Sequence, residues 1–583
     1  MTVETPTGRL PAGEERVSTP EAGGAGAGAR SGGWPGAAAA ALLGMAVVWY
    51  VFGGHILPPS RTGWMLTGTI GPDPVQYWLG FTFFKHSPWM WPPGLNPAYG
   101  LELGSSIFYA DAIPLLAFFF KALHPVAEVP QYWGLWLFAC GALQGVLAWK
   151  LLGLATDDPL ARLAGSVLFV MQPTLLNRMG GHFALSAHFL ILAALWLCLT
   201  PPGAWPRRTG AWAGLVLLAS LIHSYILPMV LGLWAADWLA RAAVARRKPA
   251  PLAAEALAVP LSGAAGLWAA GFFVLRTGHG GQGARYGEMQ LDLLAPFDPS
   301  FWGAFLPDLP NPDHLEVGSS YAGLGVLLLL AIAGVAWLRR PLRGLSARWP
   351  LVLALLGMLA VAITHRPSLG GWQFTLFELP PALVEPAAAL RASERFLWPL
   401  AYALLVAAVA ALAHGMGGRR AGLVLAALVV VQFADLQPGF ARLDRFFPAG
   451  PAVAPLRLSD PFWAEAARHY RRVRVVPNGN QAPDWEEVAV YAATLGLETD
   501  AVYLARIDPA RVAALNAEMA ARLAEGRYEP GTFYTLGDEA ALARARQGMD
   551  PSRDFLMQYD RVTVLAPGWW RLTGRAPPPP TGR

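Results

Sequence analysis

Apolar positions along this chain gather into long unbroken runs, unlike the period-two alternation of half-buried strands or the one-sided stripe of a surface helix. A helix that crosses a bilayer needs about 20 mostly apolar residues. Runs that reach or approach that length begin near Trp34, Ser105, Tyr132, Leu160, Phe183, Ala211, Tyr225, Leu252, Tyr321, Pro350, Phe396 and Ala421. The intervals between them are of two kinds. Short ones carry clustered arginine and lysine, at 207–208, 241–248, 339–348 and 419–420, whereas long or polar ones cover 58–131, 177–182, 276–320 and 365–395. Cytoplasmic loops hold the Arg and Lys excess, so the basic intervals predict the cytoplasmic face and the long ones the periplasmic face. The assignment is consistent only if residues 105–124 do not cross, because one more span there moves every later basic interval to the wrong side. Asp111 and Pro114 also suit a re-entrant or interfacial segment better than one in hydrocarbon.

The pattern therefore predicts a polytopic α-helical membrane protein of about eleven spans. Residues 1–33 read as a disordered cytoplasmic tail, and the first run, from Trp34, as an uncleaved anchor. Residues 34–437 form the membrane domain. After Gln437 the period changes. Strand-like runs at 472–476, 501–505, 532–536 and 561–565 alternate with helical stretches at 485–495, 509–523 and 539–547, which predicts a periplasmic α/β domain over 438–583 with a partly parallel sheet.

Composition agrees with lipid as solvent. Of 583 residues, 54% are hydrophobic and 14% charged, against roughly 25% charged in soluble domains. The net charge of +5 is spread over the ends of apolar runs with no basic patch interleaved with aromatics, which excludes nucleic acid as an expected partner. Cys140 and Cys198 each lie inside an apolar run, so neither a CxxC zinc site nor a disulfide framework is expected. The C-terminal domain has no GxGxxG or Walker-type loop.

Chemistry is expected in the long loops, since loops carry sites. In GPDPVQYWLGF, Asp73 sits between two prolines at the head of a helix-like run. An aspartate there either caps orphan N–H groups or presents a catalytic or ligand-binding carboxylate, and Asp111 is a second carboxylate in the same loop. Arg178, Arg276, Arg285, Arg391 and Arg395 are the candidate cations on that face. The planar fork of arginine suits phosphate, while Arg391 and Arg395 at a helix end equally suit headgroup contacts. His182 closes the short loop that holds Arg178. His188 either faces a cavity or bonds a neighbouring helix, and His223 with Tyr225 reads as a hinge between two short spans. Asp298 reads as a turn residue, and Glu316 and Tyr321, just ahead of a span, are further polar candidates. No HExxH spacing links the histidines, so zinc is not expected.

Four stretches carry a family resemblance: GPDPVQYWLGF with the PW that follows; LLNRMGGHFALSAHFLIL from Leu175; LLAPFDP with EVGSSYAGLGVLLL from Leu293; and LRASERFLWPLAY from Leu390. One span, a long extracytoplasmic loop with an acidic residue near its start, an apolar loop-end segment and paired helices with an Arg-containing loop make the chain resemble the GT-C superfamily of membrane glycosyltransferases. Within it, the chain is similar to bacterial inner-membrane proteins of the DUF6311 type, over nearly its whole length. The resemblance implies inverting transfer of a sugar from a polyprenyl-phosphate donor to a periplasmic or lipid-linked glycan acceptor, with the C-terminal domain steering the acceptor. It implies Asp73 as general base or metal ligand, and Asp111, Arg178, His182, Glu316, Tyr321, Arg391 and Arg395 around the substrates. A divalent metal, Mg or Mn, is an implied cofactor, but Pro74 stands where some members carry a second acidic residue, which puts metal dependence in doubt. Two other classes compete. A transporter or flippase of lipid-linked glycans calls for charged groups along several spans and broken helices in repeated positions, and a non-catalytic scaffold calls only for a partner-binding domain. The runs are nearly free of charge, which favours surface chemistry.

Overall fold

The computed structural model describes residues 33–244, 248–275, 286–310, 320–342, 344 and 346–577. The predicted tail, apart from Gly33, and Glu316, Arg276 and Arg285 lie outside the described residues.

Helices form where the apolar runs are. Among the described residues, six are long and apolar enough to cross a membrane: Trp34–Phe52, Trp133–Leu152, Ile226–Ala243, Pro249–Ala270, Ser346–Ile363 and Ser393–Met416. The number rises to eight if each of two bent pairs is one span. The runs from Phe183, Ala211 and Tyr321 are helical too, over Phe183–Leu199, Trp205–Ile222 and Leu324–Arg339, but shorter or more polar than a lone span requires. The chain thus has several apolar helices fit for a multi-pass membrane protein. Of residues 105–124, only Pro114–Leu123 is an α-helix, about 15 Å long at 1.5 Å per residue and half the depth of a hydrocarbon core.

Proline makes both bends. Pro159–Val170 gives way to Pro173–Met179 at 50°, and Gly418–Asp435 to Gln437–Phe446 at 53°. Pro173 and Pro438 have no N–H to donate to the preceding turn and their rings crowd it, so each helix stops and restarts in a new direction. Elsewhere small residues set the spacing. A Cβ on Gly44 would lie 2.1 Å from the Gly141 carbonyl oxygen, so Trp34–Phe52 and Trp133–Leu152 cross at backbone contact, as small residues allow in membrane bundles. Two arginines from the basic intervals are neutralised inside the bundle. Arg208 Nε donates to Asp237 Oδ2 at 3.1 Å, Arg241 Nη1 to Glu255 Oε2 at 2.9 Å, and Trp212 Nε1 to Asp237 Oδ2 at 2.8 Å.

A hairpin of two-residue strands, β1 (Ser368–Leu369) and β2 (Trp372–Gln373), lies in the last long loop. The C-terminal sheet has five strands: β3 (Arg472–Val476), β4 (Glu498–Thr499), β5 (Thr532–Leu536), β6 (Phe555–Tyr559) and β7 (Val562–Ala566), in the order β4-β3-β5-β7-β6. β3 runs parallel to β4 and β5, and β7 antiparallel to β5 and β6. Helices Trp485–Leu495, Pro509–Ala524 and Glu539–Gly548 fall on the predicted stretches. One strand is a correction. Residues 501–505 are not a strand: β4 ends at Thr499, and the chain beyond it gives its backbone bonds to Asn480 and to the first long loop. β6 was not foreseen, since FLMQY has no clean alternation.

This domain docks on the first loop. Ala98 and Gly100 pair with Thr499 through Thr499 N–H to Ala98 O at 3.0 Å and Gly100 N–H to Thr499 O at 2.8 Å, which covers the open edge of β4. Beneath them Arg474, fully buried, binds Asp500 at 2.9 Å, Glu529 at 2.8 Å and Glu102 of the loop at 2.6 Å.

Candidate active site

Asp73 is the first residue of helix Asp73–His86, which Pro72 precedes at the cap position without a side-chain capping bond. Its carboxylate instead faces outward from the helix start. Oδ2 lies 3.2 Å from His182 Nε2, and Oδ1 accepts from the Tyr503 hydroxyl at 3.0 Å. One helical turn on, Tyr77 donates to the Gly181 carbonyl at 3.1 Å, so the helix holds the loop that carries His182. The loop passes close to helix Gln437–Phe446, since a Cβ on Gly180 would lie 2.6 Å from the Leu443 side chain. The bend at Pro173 directs Arg178 and His182 over the end of the bundle.

Asp111 lies on the other side of Tyr77. Its backbone sits at φ 51° and that of Ile113 at 53°, a left-handed geometry that costs non-glycine residues about 1–3 kcal/mol and marks functional sites. The turn is held by Gln76 Nε2 on the Tyr109 carbonyl at 3.1 Å and by the Ala505 N–H on the same oxygen at 2.8 Å. The carboxyl faces His223 Nε2 at 3.8 Å. Burial, with the neighbouring Asp73 charge, pushes it up to about 8 against the pull of Arg395, so Asp111 keeps its proton at neutral pH.

Cations close the site. Arg395 is buried with its guanidinium 4.9 Å from the centre of the Tyr225 ring, and Tyr225 accepts the Ala392 N–H at 3.0 Å. Arg178 is buried 3.5 Å from Glu394. From the C-terminal domain comes Arg506, whose guanidinium is pulled below its ordinary range by burial and by the nearby Arg391 charge. Burial and the Asp73 charge hold the Tyr503 phenol well above its usual range, so it stays a hydrogen-bond donor. With Asp111 protonated, four guanidinium groups outnumber the carboxylates of Asp73 and Glu394, and the site carries positive potential.

Of the residues predicted from sequence, the structure gathers Asp73, Asp111, Arg178, His182, Arg391 and Arg395. It does not bring Tyr321 there. Tyr321 is buried and donates to Asp435 Oδ2 at 2.7 Å, the same oxygen that takes the Leu324 N–H at 2.8 Å, so its hydroxyl fixes the start of Leu324–Arg339 and does not face the cluster. Glu316 lies outside the described residues. His188 bonds the Tyr402 hydroxyl at 2.8 Å, the helix-to-helix role, and Asp298 accepts from Ser300 and Leu309 N–H as a turn residue does. His223 marks the break between Trp205–Ile222 and Ile226–Leu239 and also reaches Asp111. Tyr77 and Glu394 were not singled out, although position marks them: Tyr77 stands four residues after Asp73 and Glu394 inside the quoted LRASERF. Tyr503 and Arg506 carried no signal.

A divalent metal does not fit this donor set. Among the described residues no three of His, Cys, Asp and Glu group in a way that holds an ion.

No curated protein matches the chain. A family model described as a domain of unknown function, DUF6311, matches residues 41–437, and the model of the DUF6311 C-terminal domain matches residues 462–567. The first covers the membrane helices and the loops that bear Asp73, Asp111, Arg178 and Arg391, and the second covers the sheet that supplies Tyr503 and Arg506, so the chain belongs to the DUF6311 family.

Proposed function

We propose that the chain is an inverting GT-C-type glycosyltransferase of the bacterial inner membrane, with eleven spans, a cytoplasmic amino terminus and a periplasmic C-terminal domain. It transfers a sugar from polyprenyl phosphate to a periplasmic or lipid-linked glycan. The observation that supports this most is the convergence of Asp73 with four arginines at one end of a membrane bundle. An acceptor hydroxyl loses its proton as its oxygen attacks the anomeric carbon, and Asp73 takes that proton. His182 on Oδ2 orients the carboxylate. The bond from the anomeric carbon to the phosphate oxygen breaks, and the departing lipid phosphate gains charge that Arg391, Arg395, Arg178 and Arg506 stabilise. No step runs through a metal.

The transport reading draws on the two bent helix pairs, because discontinuous helices build substrate sites in carriers. Here the breaks lead into loops, the Asp73 cluster lies at a bundle end, and the charges inside the bundle, Arg208 and Arg241 with Asp237 and Glu255, neutralise one another.

Asp73→Asn separates base from scaffold, since Asn keeps hydrogen bonds to Tyr503 but cannot take a proton. In nanodiscs supplied with radiolabelled undecaprenyl-phosphate sugars and envelope glycan, the variant should lose transfer by about 10²–10⁴-fold. Wild-type transfer by the Asn variant would move the base elsewhere. Transfer absent from the wild type, together with movement of the labelled lipid across the bilayer, would favour the carrier.

A further inference from the structure

β4 is two residues long, and the chain that leaves it is bound on both sides. The Tyr503 N–H donates to the Tyr99 hydroxyl at 3.1 Å, that hydroxyl donates to the Tyr503 carbonyl at 3.3 Å, and Leu504 exchanges bonds with the Asn480 side chain at 2.8 and 2.9 Å. Ala505 is tied to Tyr109, two residues before Asp111. The Tyr503 ring packs edge-on against Trp485 at 5.7 Å. A phenol anchored this way is a fixed strut, and it ends 3.0 Å from Asp73 Oδ1.

We propose that Tyr503 of the C-terminal domain is a positioning residue of the site: its hydroxyl holds Oδ1 of Asp73, so that neither the membrane domain nor the C-terminal domain alone contains a complete catalytic carboxylate. The inference rests on the proposed transferase reading for its catalytic meaning. Its physical content stands alone. With His182 on Oδ2 and Tyr503 on Oδ1, the carboxylate cannot rotate, and the remaining lone pair of Oδ1 has one direction from which a hydroxyl can approach.

The test uses the full chain in nanodiscs and reads Asp73 without any substrate. Aspartate carrying a heavy-carbon label in its carboxyl gives an isotope-shifted infrared carboxylate stretch, and the difference from the Asp73→Asn chain isolates the band of Asp73. That band follows the hydrogen bonds its oxygens accept. Tyr503→Phe keeps the ring against Trp485 and should shift the band, because one donor is lost. Replacing Tyr503 by 3-fluorotyrosine, a stronger donor of the same shape, should shift it the opposite way. Opposite shifts establish the strut; an unchanged band in either folded variant overturns it. In the transfer assay Tyr503→Phe should lower kcat with KM nearly constant. If wild-type protein transfers no sugar yet both band shifts appear, the transferase reading fails and the positioning of Asp73 by Tyr503 survives.

Discussion

At the scale of single residues, Asp111 carries the clearest solution signature. Its carboxyl ordinarily ionises near 3.8 and is raised to about 8 in the fold. The folded chain therefore binds this proton more tightly than the unfolded chain, and the stability it contributes is whole below about 3.8 and lost as pH rises through 8. Asp111→Asn mimics the protonated form and tolerates φ 51° better than most residues. The variant should melt higher than wild type, by a margin that grows from pH 5 to pH 9; a margin independent of pH would place the ionised carboxylate in water. Asp73 and His182 were readable as separate candidates because both stand in short motifs with polar residues in apolar surroundings, whereas their contact was not. Tyr503 was not, since 430 positions separate it from Asp73 and a tyrosine in DAVYLAR looks like any strand aromatic. Tyr321 misled for a related reason: a hydroxyl just ahead of a helix serves a sugar or a buried Asp435 equally well, and only packing decides.

At the scale of elements, the joint between sheet and first loop is the vulnerable one. Arg474 has no exposed surface and meets three carboxylates, Asp500, Glu529 and Glu102. Its loss strands at least one of them without compensation, which costs about 3–5 kcal/mol in buried pairs. Arg474→Ala should thus lower the melting temperature and open the segment between helix Gln437–Phe446 and β3 to protease, with wild-type resistance as the contrary result. Strand and helix positions in this domain were mostly legible from periodicity. Residues 501–505 were not, because their alternation serves Tyr99, Tyr109 and Asn480 and no neighbouring strand. In the bundle, the basic intervals hid a similar surprise: Arg208 and Arg241 point inward to Asp237 and Glu255, so part of the charge that signals orientation is spent on helix packing.

At the scale of the whole molecule, the proposed arrangement of eleven spans makes a topological prediction. Reporter fusions after Gly417 and after Gln437 flank helix Gly418–Asp435 and should report opposite sides of the membrane; agreement between them would remove that span. That the apolar runs become helices was legible in the hydropathy, and six of the described helices are long and apolar enough to span, whereas the seating of the last domain on the first loop depends on contacts no local pattern encodes. That seating also sets a clock. Tyr99 and Tyr503 bind each other across 404 positions, and a ribosome adding about 5–20 residues per second needs about 20 to 80 seconds to travel from one to the other. For that interval the first loop waits with its half of the joint unmade, exposed to chaperones and proteases. Any message truncated before Tyr503 yields a membrane-inserted chain in which Asp73 never acquires its strut.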